Sequence, residues 1–350
     1  MNLSYPWIGN KRLDTWFILG PAFYSVIIAL FLAQWISDDT SFGLIPWIIF
    51  VLLIDVSHVY SSLYKTYLNP LHFNKSKNLF ILTPLLSFIL SAMIYSFDAL
   101  YFWRALAYLA VFHFIRQQYG FMRLYSRSDA QNKASQWIDT IFIYSATCFP
   151  LIYWHAHLPR NFSWFIANDF FIFIPEWFSS LSVVFYIFIT LTFFAKEIRN
   201  SFHHPVNMPK IIFMIGTSLS WMTGIVLFNS DLIFTVTNVV SHGIPYFALV
   251  WLTGKKELSD NEVLQKNYFR YFFSTYSLPV FLGVLFLCSF IEEGFWAGLI
   301  WREHLNFFVP FSSLPHISAH DYLKWLVPLL ALPQTTHYIL DGFIWKKDNN

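Results

Sequence analysis

Ten apolar runs alternate with short polar segments along the chain: residues 16–35, 43–63, 79–97, 99–114, 137–154, 175–195, 211–228, 232–252, 272–290 and 323–345. A membrane-crossing helix needs about 20 mostly apolar residues. The pattern therefore predicts an all-α polytopic membrane protein with about ten transmembrane helices. The fourth run can continue as a helix through Arg123. Ten spans use most of the 350 residues, so one transmembrane helical domain, 1–350, is expected, with no separate soluble domain. Two longer segments, 155–176 and 294–322, are rich in Trp and Phe and are expected to lie along the membrane interface.

Charge gives the orientation. The basic residues follow the even-numbered runs or sit at the termini: Lys11 and Arg12, then Lys65, Lys75 and Lys77, then Arg116, Arg123, Arg127 and Lys133. Lys196, Arg199 and Lys210 come next, then Lys255, Lys256, Lys266 and Arg270, and last Lys346 and Lys347. Of the 22 Lys and Arg residues only Arg104, Arg160, Arg302 and Lys324 fall elsewhere. The opposite segments carry Asp38, Asp39, Asp98, Asp169, Glu176, Asp231, Glu292 and Glu293. Cytoplasmic loops concentrate Lys and Arg, so both termini are expected in the cytoplasm.

Composition agrees. Hydrophobic residues make up 56% and charged residues 12% of the chain, against about 25% charged in soluble domains. A net charge of +2 argues against a nucleic-acid partner. Cys148 and Cys288 lie in apolar runs and read as small buried hydrophobes. The N-terminal segment lacks the pattern of a cleavable signal, which leaves the first span as the anchor. Lys and Asn usage points to a low-GC bacterial chromosome, hence a multi-pass protein of a bacterial inner (cytoplasmic) membrane.

Ionisable groups inside spans are costly and rarely idle. Here they are ordered. Asp55 and His58 lie in the second span, His113, Arg116 and Gln117 in or just beyond the fourth, Asn238 and His242 in the eighth, His337 and Asp341 in the tenth. Each histidine has a polar residue three or four positions away, which places the two on one helix face. Such a neighbour is suited to hold the second ring nitrogen of a metal-binding histidine. All four spans run from outside to inside, so the groups are expected at one depth in the cytoplasmic half, level with Asp139, His203 and His204. Gly243 and Pro245 are expected to kink the eighth helix, and Pro333 to loosen the tenth just before His337.

The expected metal site comprises His58, His113, His242, His337, Asp55 and Asp341. Tyr60, Tyr119 and Tyr338 are candidate catalytic proton or hydrogen-bond donors. Arg116, Gln117 and Asn238 are candidate substrate-binding groups, Arg116 by the fork geometry that suits a phosphate or carboxylate. The outer histidines His155, His157, His304, His316 and His320, and the loop residues His72, His203 and His204, are read as loop or interface groups.

Imidazole with carboxylate suits iron, zinc or manganese. No His-Glu-x-x-His sequence is present, and Glu292 and Glu293 fall in the outer segment beyond the ninth run, so no intramembrane glutamate is expected. Bis-histidine haem leaves the aspartates without a role. Non-haem iron, as one or two ions, fits the residue types best. The function expected is a membrane-embedded oxidoreductase (oxygenase, hydroxylase or desaturase) acting on a lipid or isoprenoid-like substrate. It would draw on an external electron donor, because no flavin, ferredoxin or nucleotide motif appears. The alternative is a proton-coupled transporter using the His/Asp pairs as a relay; a non-catalytic component of a larger membrane complex is a third class.

The scattered single histidines and the early Asp55/His58 pair in a polytopic chain resemble the histidine-dependent integral-membrane oxygenases: fatty-acid desaturases and hydroxylases, alkane monooxygenases and the Brp/Blh-type carotene dioxygenases. The resemblance covers architecture and residue types and implies non-haem iron and a lipid or isoprenoid substrate. The His-x-x-His-His boxes of the desaturases are absent, and Asp55-Val-Ser-His58 reverses the order of the Brp/Blh pairing. No catalytic residue transfers on it.

Overall fold

The computed structural model describes residues 6–35, 43–127, 129, 132–171 and 174–345; Asp38, Asp39, Lys346 and Lys347 lie outside them. These residues are helical wherever they are regular. The principal helices are α1 (Lys11–Leu32), α2 (Leu44–Lys65), α3 (Lys77–Phe97), α4 (Ala99–Tyr125), α5 (Lys133–Ala156) and α6 (Glu176–Ser201). They continue with α7 (Met208–Leu227), α8 (Asp231–Asp260), α9 (Leu278–Trp301), α10 (His320–Leu330) and α11 (Leu332–Ile344).

Among the described residues, seven helices are long and apolar enough to cross a membrane: α1, α2, α3, α6, α7, α8 and α9. The other three apolar runs of the sequence differ in kind. α4 and α5 are single helices of 27 and 24 residues that carry more polar side chains. The tenth run is two helices. They part at Ala331, and Pro333 sits in the first turn of α11, where its missing N–H costs no helical hydrogen bond. The eighth run stays one helix of 30 residues through Gly243 and Pro245.

Local chemistry sets the helix ends. Asp98 has extended backbone between α3 and α4, and its carboxylate accepts from the N–H groups of Leu100 and Tyr101 (2.7 and 3.1 Å), satisfying two orphan donors of the first turn. Asn132 and Asn207 cap α5 and α7 in the same way. α2 is not a uniform α-helix. It is π-helical over Trp47–Val56, α over Ser57–Ser61 and 3₁₀ over Ser62–Lys65. Changes of helical winding of this sort cluster at functional sites.

The chain divides into two compact units, with boundaries inside α4 and α8. The first holds residues 1–42 and 114–245. In it α5 packs along α6, with Phe142 stacked on Phe193 (4.6 Å between centroids), and α7 packs on α1 and α5. A buried ion network joins α5, α6 and α7. Lys196 pairs with Asp139 and, at 2.6 Å, with Glu197; Lys210 lies 2.8 Å from Glu197, 3.0 Å from Asp129 and 3.4 Å from Asp139. Lys196 and Lys210, expected in loops, are thus buried helix residues.

The second unit holds residues 43–113 and 246–350. In it α3 packs on α10 and α11, and α2 packs on α9 and α11. Gly294 allows the close approach of the segment after α9, since a Cβ there would stand 2.4 Å from Phe311. The segment 302–319, expected along the interface, is irregular apart from a 3₁₀ turn at Val309–Phe311. Arg302 has a left-handed backbone (φ 59°) and donates to the carbonyls of Gly298 and Leu314.

Candidate metal centre

Three helices of the second unit each contribute one histidine to a single point: His58 from α2, His113 from α4 and His337 from α11. They are 0%, 2% and 1% exposed, so the imidazoles face one another rather than solvent. One potential ligand atom from each lies within 4.8 Å of the other two. The rings of His113 and His337 are 4.6 Å apart, those of His58 and His337 5.1 Å.

The second-nitrogen contacts show how the group is oriented. Asp341 Oδ2 lies 3.3 Å from His113 Nδ1. Its Oδ1 accepts from Tyr246 Oη (2.8 Å) and Trp345 Nε1 (2.7 Å). With its Nδ1–H donated to Asp341, His113 presents the lone pair of Nε2 inward, the arrangement in which a carboxylate fixes a metal-binding imidazole. That Nε2 stands 3.2 Å from His337 Nε2. Two nitrogens at this separation and about 2.1 Å from one ion subtend roughly 100° at it. The same separation suits a hydrogen bond in which His337 donates. His337 Nδ1 is buried with no hydrogen-bond partner. Ligands at about 2.1 Å from an ion stand at most about 4.2 Å apart, so a 4.8 Å group closes on an ion by small side-chain rotations. The residues fit a metal ion.

Asp55 is the partner of His58, at 3.6 Å from its Nδ1, and is partly exposed. Neither Asp55 nor Asp341 belongs to the three-residue group itself. The spacing rule that pairs each histidine with a neighbour on its own helix is seen at this pair. Asp341 turns from His337 to His113. Gln117 donates to the carbonyl of His242 (2.9 Å) and Asn238 to that of Phe234 (3.0 Å). An i, i+4 pair shares a face, but a histidine of another helix packed on that face competes for the same oxygen.

His242 lies in the first unit and is not part of the three-histidine group. Its ring stacks flat on Phe114, 3.6 Å between centroids. Arg116, Gln117, Tyr119 and Asn238 belong to the same unit. There Arg116 donates to Tyr144 Oη (2.7 Å) and lies over the ring of Tyr119. Tyr338 is buried with its ring 5.1 Å from His113 and 5.7 Å from His337. Tyr60 donates to Glu292 Oε2 (2.6 Å). His203 and His204 are exposed. His72 meets the Lys65 carbonyl at 2.8 Å, and His155 and His157 each meet the carbonyl four residues back.

Glu292 is the main correction to the sequence reading. It is 5% exposed inside α9, which continues through Trp301. It accepts from Tyr60 and from Gln334 of α11, and it interacts electrostatically with Asp55 and Glu293. A glutamate is therefore available within a candidate span. The apolar run AGLIW after Trp296 was the signal that the helix extends past it. Tyr246, which buttresses Asp341, was also missed, because a tyrosine in an apolar run carries no spacing signal. No protein-family model, curated protein or solved structure matches the chain.

Proposed function

We propose that this chain is a membrane-embedded, metal-dependent oxidoreductase of the oxygenase, hydroxylase or desaturase kind, acting on a lipid or isoprenoid-like substrate. We further propose that it crosses a bacterial cytoplasmic membrane ten times with both termini inside. The observation that carries the enzyme reading is the convergence of His58, His113 and His337 from three helices on one buried point.

Iron is the ion proposed, with zinc and manganese as the other ions this donor set accepts. Bound iron supplies dioxygen activation toward unactivated carbon, with electrons from an external donor. The chain's own groups do the rest. Asp341 holds the proton of His113 at Nδ1. Tyr246 and Trp345 hold Asp341 in turn. The ring of Tyr338 covers the histidines and excludes water. Tyr60 donates its hydroxyl hydrogen bond to Glu292 Oε2 and holds that carboxylate in place. This chemistry is of the class the histidine-dependent membrane oxygenases use.

Glu292, held by Tyr60 and in electrostatic interaction with Asp55, also supports the second reading, a proton-coupled transporter, because intramembrane carboxylates serve as proton relays. Metal content separates the two. Mass spectrometry of detergent-purified protein is expected to find one to two iron per chain, lost in His337→Ala. Absence of stoichiometric iron, zinc and manganese from the wild type removes the oxidoreductase reading and leaves the relay.

A further inference from the structure

A cavity of about 330 Å³ lies within the second unit, walled by α3, α4 and α11. That volume is at the lower end of the range for small-molecule sites. The walls are almost wholly apolar, and the cavity is open on one side. At its mouth stand Leu86 and Leu90 of α3, 53% and 56% exposed. α3 is long and apolar enough to span a membrane, so leucines exposed on it face lipid tails. The cavity is thus entered from the bilayer.

Four polar residues, Thr83, Ser87, Ser91 and Thr335, also line the cavity. Ser87 of α3 stands out among them. It is 6% exposed, and its Oγ has no hydrogen-bond partner among the described residues. On the same helix, Ser96 bonds back to the carbonyl of Ala92 at 2.7 Å, the usual way a helix serine satisfies itself in apolar surroundings. A buried hydroxyl left unpaired is costly, and this one borders an open space reached by lipid.

The cavity shares two of its walls with helices that carry the histidines. Its α4 wall includes Ala105 and Leu109; His113 follows Leu109 by one turn, on the same face. Its α11 wall includes Thr335 and Ile339, which bracket His337 in sequence.

We propose that this groove holds one hydrocarbon chain drawn from the bilayer, bearing a hydroxyl or carbonyl oxygen that pairs with Ser87. As a lipid-binding site the groove stands alone; as a substrate site it rests on the oxidoreductase reading.

The test is saturation binding of tritiated 1-hexadecanol to full-length protein in nanodiscs, with hexadecane as the probe lacking oxygen. Ser87→Ala is expected to weaken hexadecanol binding about five- to tenfold, the worth of one net hydrogen bond, and to leave hexadecane binding unchanged. Ser87→Thr keeps hexadecanol binding. Ala105→Trp, at an exposed wall position, fills the groove and abolishes binding of both. Equal hexadecanol binding in wild type and Ser87→Ala, or saturable binding that survives Ala105→Trp, overturns the proposal. Metal content is read on the same preparations. Metal without groove binding overturns the groove alone; Ser87-dependent binding without metal overturns the oxidoreductase reading alone.

Discussion

Asp341 serves His113 of α4 and not His337, the histidine four residues before it on its own helix: its Oδ2 is 3.3 Å from His113 Nδ1. Its other oxygen already takes two donors, Tyr246 and Trp345. The carboxylate is therefore saturated and acts by fixing the ring of His113. Asp341→Asn keeps the shape and removes the charge. Losing the carboxylate partner of a ligating histidine typically weakens metal binding about 10–100-fold. Chelator competition on Asp341→Asn is expected to show a loss in that range with the fold intact. An unchanged affinity would mean that His113 is not a ligand.

Tyr246 supplies one of the donors that fix Asp341. Tyr246→Phe removes a single hydrogen bond, worth about 0.5–1.5 kcal/mol, so its metal affinity is expected to fall less than in Asp341→Asn. Because the hydroxyl, the one group this variant removes, donates to Asp341, Tyr246→Phe is expected to add nothing in the Asp341→Asn background. The double-mutant cycle by the same competition assay checks this. Additive losses would place Tyr246 on a separate route.

The histidines of the site were legible in the sequence and their geometry was not. His58, His113 and His337 stand out because an imidazole inside an apolar run has few uses. His242 stands out equally on that criterion, yet the structure lays it on Phe114. Stacking on an aromatic is a common setting for a buried imidazole, and no spacing distinguishes it from a ligand role. Glu292 was misplaced because a glutamate near the end of an apolar run looks like a loop residue until the hydrogen bonds from Tyr60 and Gln334 are seen. Those partners lie 232 and 42 residues away in sequence. The helices were readable because hydrophobic run length is a local property; the break at Ala331 was signalled by Pro333 just beyond it.

Tyr60 and Gln334 donate hydrogen bonds to Glu292, which also has a side-chain hydrogen bond with Trp296. Removing one leaves a buried carboxylate partly unmet, at a cost of about 1–3 kcal/mol. Tyr60→Phe is expected to lower the thermal midpoint of detergent-purified protein by that equivalent while metal content stays at the wild-type value. Loss of metal in Tyr60→Phe would instead tie Glu292 to the histidine group.

Lys210 lies among Asp129, Asp139 and Glu197, with Lys196 the other cation of the network. Removing one partner of a buried ion pair costs about 3–5 kcal/mol, because the remaining charge is uncompensated. Lys210→Met is expected to destabilise by that order in thermal unfolding. Adding Asp139→Asn, which removes one of the stranded carboxylates, is expected to recover part of the loss. If the double variant is no more stable than the single one, the network does not behave as one electrostatic unit.

Ten spans differ from seven at α4, α5 and the α10–α11 pair, and the polar content of these helices is what their packing accommodates. Gln117 and Gln118 of α4 are buried and hydrogen-bonded, to the His242 carbonyl and to Thr217; Asp139 of α5 is buried in the ion network. Polar groups paired inside a unit do not meet lipid, which lets a helix of lower hydropathy cross. The break at Ala331 is buried at 1% exposure, and irregular backbone is tolerated at membrane depth when protein covers it. Both sets of helices can therefore cross. In a background with Cys148 and Cys288 replaced by Ala, Ala134→Cys is expected to resist a membrane-impermeant maleimide on intact cells and to react after permeabilisation. Asn161→Cys reacts in intact cells in either topology and serves as the control. A green fluorescent protein fused at the C-terminus is expected to fluoresce, as it does only in the cytoplasm. Labelling of Ala134→Cys from outside would remove α4 and α5 as spans, and a dark fusion would remove the α10–α11 pair.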